Sequence, residues 1–152
     1  MSPSSLRSPL RRASRRSGAA LVEFAIVIPI FFLLLFGIVE FGRAMMVSNM
    51  VVNASREAAR MAILTGSTNS EVEQSAKSFL SQSLNVAASD VTATISVTPA
   101  AGNPNPGNSL SSATSRDLVT VVVQVPFRKV SLLPPTFLKT ATMKGTSAMR
   151  HE

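Results

Sequence analysis

The stretch that most limits what this chain can fold into is the uncharged run of residues 24–39, Phe24-Ala-Ile-Val-Ile-Pro-Ile-Phe-Phe-Leu-Leu-Leu-Phe-Gly-Ile-Val39. With residues 19–23 ahead of it, the segment reaches just over 20 residues, about 30 Å as a helix, which is the thickness of bilayer hydrocarbon. It is apolar around its whole circumference, and that suits lipid better than a one-sided protein core. A transmembrane helix over 19–42 is therefore expected. Pro29 lies inside it and leaves the Ala25 carbonyl without its usual helical donor, a tolerated kink or a local loosening for extraction from the bilayer. A secretory signal is the main competitor, but its apolar core is shorter and is followed by a small-residue cleavage site. Here Glu40-Phe41-Gly42-Arg43-Ala44-Met45 follows, a poor match.

The charge distribution supports an anchor. The formal net charge of the 152 residues is +7, which at first suggests nucleic acid. Arg7, Arg11, Arg12, Arg15 and Arg16 all precede Gly18, however, and the remainder is near balance at +2. A basic leader over 1–18 holds the N-terminus on the cytoplasmic side. With no Trp or Tyr, the chain also lacks most of the stacking platform of single-strand binders. No nucleic-acid partner is expected. The absence of cysteine excludes disulfides and thiolate metal sites.

One carboxylate stands near the start of the apolar segment. A comparable Asp at a helix centre costs roughly 2.5–3.5 kcal/mol on insertion scales. Glu23 is thus a functional candidate whose partner has to be named. The bland alternative is a shallow residue that snorkels to the headgroups.

The residues around it carry a family resemblance. Arg16-Ser-Gly-Ala-Ala-Leu-Val-Glu23-Phe24, then Pro29, then Gly37-Ile-Val-Glu40-Phe41-Gly42-Arg43, then Asn53-Ala-Ser-Arg56-Glu57-Ala-Ala-Arg60 together resemble the TadE-like family. These are the pseudopilins of tight-adherence (Flp, type IVb) pilus systems. The resemblance covers close to a third of the chain. It implies a pilin-like fold and removal of the leader after Gly18 by a prepilin peptidase, which makes Ala19 the mature N-terminus. Glu23 would then meet the α-amine of a neighbouring subunit, since a charged pair in hydrocarbon costs far less than a lone carboxylate. Implied partners are other pilins or pseudopilins, the inner-membrane assembly platform and the lipid bilayer. Major Flp pilins are very short and commonly carry Glu-Tyr, whereas this chain has Glu23-Phe24 and a long extension, so it resembles a pseudopilin more closely.

Beyond the anchor the pattern becomes amphipathic. Ala44, Val47, Met50, Val51, Ala54, Ala58, Met61 and Ala62 recur at helical spacing, which predicts a helical extension over 43–66 with Gly66 as a C-terminal cap. Glu40, Arg43, Arg56, Glu57 and Arg60 are candidate partner contacts; a solvated charge cluster is the alternative for the last three. The soluble domain is expected over 67–152. A second helix is predicted over 70–84, opened by a Ser70 to Glu73 capping box and with Val72, Ala76, Phe79, Leu80 and Leu84 on one face. Strand patterns follow at 91–98, at 118–127 as the central strand, and at 140–149. The expected class is α+β, with a small antiparallel sheet packed on the amphipathic helix.

The Pro/Gly/Asn/Ser-rich loop at 99–116 excludes a regular element, and loops of this length are functional or disordered. Residues 131–138, Ser-Leu-Leu-Pro-Pro-Thr-Phe-Leu, are apolar and extended, suited to cover a sheet edge or meet a partner. No P-loop, HExxH or Gly-x-Ser-x-Gly motif occurs, and the single histidine, His151, is penultimate and expected to fray. The reading is a non-enzymatic assembly protein without cofactor or metal. It is single-pass in the inner membrane, with its C-terminal domain extracytoplasmic, or extracellular if incorporated in the pilus. The alternative is an uncleaved, membrane-anchored binding module.

Overall fold

The computed structural model describes residues 13–152, with side-chain surroundings from Gly18 onward. The leader arginines, all before Gly18, therefore lie outside the described side chains. The chain divides into two compact units, one ending at Ile38 and one spanning Val39–Glu152. Helix α1, Ala13–Ala62, supplies residues to both.

In the first unit α1 exposes apolar side chains on every side, among them Leu21, Ile26, Ile30, Leu33 and Leu34. The rings of Phe31 and Phe32 meet edge to face at 5.7 Å between centroids, and those of Phe32 and Phe36 lie 5.9 Å apart. Among the described residues this is one helix long and apolar enough to cross a membrane.

The second unit is an α+β domain. Within it α1 becomes one-sided. Ala44, Val47, Val51, Ala54, Ala58 and Ala62 are buried, at steps of three or four that keep them on one stripe. Most are alanines, so other elements approach the helix backbone closely. After Ala62 the chain turns through Gly66, whose φ of +87° is open to glycine at no steric cost. Gly66 thus belongs to a turn four residues past the helix rather than to its cap.

Helix α2 covers Asn69–Leu84. The hydroxyl of its N-cap, Thr68, accepts from the Glu71 N–H, and the Thr68 N–H donates back to the Glu71 carboxylate at 3.1 Å. The capping box is therefore Thr68 with Glu71, two residues ahead of the Ser70 and Glu73 pair expected from sequence. Val72, Ala76, Leu80 and Leu84 are buried, while Phe79 is largely exposed. Asn85 ends the helix in the left-handed conformation at φ 54°.

Strands β1 (Thr92–Thr98), β2 (Leu118–Pro126) and β3 (Thr142–Arg150) form one antiparallel sheet in the order β1-β2-β3. Ile95 stands opposite Val121, and Val123 opposite Gly145. Ala93, Ile95, Val97, Val119, Val121, Val123 and Val125 fill the core with the buried faces of α1 and α2. The alternate positions, rich in threonine, face outward, as an antiparallel sheet with one wet face requires. The ladder continues past Arg150. The His151 N–H donates to the Asp117 carbonyl at 2.8 Å, so the C-terminus does not fray there.

Two connections carry structure that composition does not reveal. The loop over 99–116 is held by side chains, not left disordered. The Asp117 carboxylate, fully buried, accepts from the Ala100 N–H at 2.8 Å, Asn103 Nδ2 at 2.7 Å and the Thr114 N–H at 2.8 Å. The Asn103 amide and these N–H groups hold the Asp117 carboxyl well below its ordinary pKa, outweighing burial. Asn69 of α2 joins the same loop, accepting from the Leu110 N–H at 2.9 Å and donating to the Asn108 carbonyl at 2.8 Å. The second connection leaves β2 through a single helical turn, α3 (Phe127–Val130), which buries Phe127 completely.

Strand β3 meets α1 at Gly145. A Cβ there would lie 2.5 Å from the Val51 carbonyl oxygen and 2.9 Å from Val52 Cα, both backbone atoms that cannot swing aside. Gly145→Ala should cost about 1–3 kcal/mol by overpacking, lowering the thermal midpoint of the detergent-solubilised chain by roughly 5 °C or more. Thr146→Ala, on the outer face, should stay within about 0.5 kcal/mol of wild type. Equal midpoints for the two variants would contradict this contact.

Candidate functional site

Glycine is a poor helix residue, roughly 0.5–1 kcal/mol worse than alanine. Gly18 nonetheless lies within α1, and an added Cβ would meet nothing within 4 Å. Packing inside this chain gives no reason for a glycine there. Ala19, Glu23 and Phe24 follow on the same helix and are all exposed, Glu23 among the exposed apolar side chains of Leu21, Val22 and Ile26. Pro29 sits within α1, as expected, and removes one donor from the helical ladder.

The second group of candidates divides. Glu40, the first charged residue after the apolar run, is only 9% exposed. Its two oxygens accept from three consecutive backbone amides of the 131–138 segment. Oε2 takes the Thr136 N–H at 3.0 Å, Oε1 takes the Phe137 N–H at 3.0 Å, and Oε1 also takes the Leu138 N–H at 2.6 Å. Successive N–H groups aimed at one anion form a concave nest, and bonds to a charged acceptor are among the stronger ones in proteins.

One turn further along α1, Arg43 donates through Nε to the Val130 carbonyl at 2.9 Å. The ring of Phe41 stacks on that of Phe137, 6.1 Å between centroids. Glu40, Phe41 and Arg43 thus clamp both ends of the loop between α3 and β3 to the helix. Glu40 and Arg43 are engaged inside the chain. Arg56, Glu57 and Arg60 instead stand exposed, off the buried stripe, and among the described residues the ion pairs are Lys77 with Glu73 and Lys129 with Asp90.

The Thr136, Phe137 and Leu138 amides were not suspected as a binding site from sequence, although the apolar character of their segment was. The available signal was a carboxylate at the end of an apolar run, a position where a charge requires donors. Nothing local names donors that lie 96 to 98 residues away.

The clamp has a direct test. Glu40→Ala removes the acceptors, so amide hydrogen exchange at Thr136, Phe137 and Leu138 should accelerate by roughly tenfold or more while the β2 amides keep their protection. Unchanged exchange at the three amides would contradict the clamp.

Comparison with known proteins bears on the same segment. Residues 18–60 match the family model described as TadE-like protein. The match opens at Gly18 and closes at Arg60, and it includes every candidate site residue named from sequence, whereas the nest at 136–138 lies outside it. Neither a curated protein nor a solved structure matches the chain. Over residues 18–60, then, the chain is similar to TadE-like proteins.

Proposed function

We propose that this protein is a pseudopilin supporting assembly of a Flp-type tight-adherence pilus used in surface adhesion. A prepilin peptidase removes the basic leader after Gly18, and Ala19 becomes the mature N-terminus. Residues 19–42 then anchor the chain in the inner membrane, with the α+β unit on the extracytoplasmic side. Glu23 docks against the N-terminal amine of a neighbouring pilin or pseudopilin, and the assembly platform acts on the anchored subunit. The role is structural, with no catalysis and no cofactor.

The observation that carries this reading is the start of the TadE-like match at a glycine that the chain's own packing does not need, five positions before Glu23. A helix residue with no internal reason to be glycine suits recognition by an outside agent, and a peptidase is such an agent. Glu23, among lipid-facing side chains, suits a partner of opposite charge, because pairing offsets much of the cost of placing an ion in hydrocarbon.

Glu23→Gln separates the two roles. Leader removal should proceed normally, while the number of pili per cell falls several-fold, with Glu23→Asp restoring part of it. Wild-type pilus counts in the Gln variant would remove the docking role from Glu23.

A further inference from the structure

We propose that residues 132–137, seated by Glu40, form a second membrane contact: a loop lying in the headgroup and acyl boundary at the level where the apolar run ends. The inference requires the apolar helix to be embedded in lipid, and is independent of any pilus role.

Three observations converge on it. The first is depth. Val39 ends the uncharged run and Glu40 follows it directly, so wherever the helix leaves hydrocarbon, Glu40 stands at that level. Hydrogen bonds of 2.6 to 3.0 Å from Leu138, Phe137 and Thr136 to its carboxylate place the loop at the same level.

The second is the surface the loop presents. Leu132 is 71% exposed, and Leu133 and Phe137 are about half exposed. On α1, Phe41, whose ring stacks on that of Phe137, is exposed, as are Met45 and Met46. Neighbouring large apolar side chains left open to water mark an interaction surface, and leucine and phenylalanine are residues that interfacial segments insert to a depth of about 5–10 Å.

The third is charge. From Arg128 to Thr140 the sequence contains Arg128, Lys129 and Lys139 and no acid. All three cations are exposed, Lys129 being partly neutralised by Asp90 at 2.9 Å. Basic residues flanking an exposed apolar segment complement anionic phospholipid. Glu40 itself is compatible with this level because its charge is already met by three donors.

The chain has no cysteine, so single-cysteine probes are clean. Full-length Leu133→Cys and Phe137→Cys, each carrying an environment-sensitive fluorophore, would be reconstituted in vesicles of phosphatidylethanolamine and phosphatidylglycerol. Spin-labelled lipids with the quencher near the headgroup or deep in the acyl chain report depth. Leu34→Cys serves as the helix reference and Ser111→Cys as the remote one.

The expected result is quenching at 133 and 137 by the shallow label at least about twofold above that at 111, with 34 quenched by the deep label. Adding Glu40→Gln should reduce quenching at 133 by about half, since an amide cannot accept on both sides of the nest. Probes at 133 and 137 that behave like the one at 111, while 34 is quenched, would overturn the proposal. So would shielding of the probes only when other pilins are co-reconstituted, which would assign the surface to a protein partner. Loss of quenching at 34 removes the embedded helix on which the proposal rests, and quenching unchanged by Glu40→Gln removes the clamp.

Discussion

The interaction on which the arrangement of the second unit depends is the Glu40 carboxylate in its nest of three backbone amides. A charge directly after an apolar run must be solvated or given donors, and here the donors come from the far end of the chain. That closure gives the connection between β2 and β3 a fixed seat. Arg43 holds the start of the connection and Glu40 its end, so the apolar side chains between them are presented together rather than trailing in solvent. A single carboxylate thus ties the connection between β2 and β3 to the helix that carries the TadE-like sequence.

The helix changes character along its length. Through the apolar run its exposed side chains are apolar on every side, long and apolar enough to cross a membrane. From Ala44 onward only one stripe is apolar and buried, built largely from alanine. Small residues on the helix and a glycine on the facing strand are two halves of the same solution: Gly145 admits the Val51 carbonyl where any side chain would collide with backbone. The close approach lets a three-stranded sheet and α2 enclose a core with α1. Fully burying a residue such as Leu80 contributes about 1.5–3 kcal/mol, and the core depends on many such contributions.

Much of this was legible in sequence because it rests on local periodicity. The apolar run, the stripe from Ala44 to Ala62, the alternation in β1 and the valine-rich β2 at the centre of the sheet all follow from spacing. Errors arose where two local signals competed or where the partner was remote. Thr68 with Glu71 and Ser70 with Glu73 both satisfy the capping-box spacing; the turn at Gly66 leaves Thr68 as the last extended residue, and so Thr68 caps. The proline- and asparagine-rich loop reads as disordered by composition, yet Asp117, Asn103, Asn108 and Asn69 supply its bonds one by one. Composition counts such residues but does not say what they reach. The roles proposed for Gly18 and Glu23 rest on resemblance alone, since nothing in the chain's own packing assigns them.

The central claim is that the chain enters the pilin pathway at Gly18. The most direct measurement is the N-terminal residue and intact mass of the protein isolated from membranes, with and without the prepilin peptidase. An N-terminal Ala19 found only when the peptidase is present is the predicted result. An intact leader in both cases would contradict the account and leave an anchored module that is never processed.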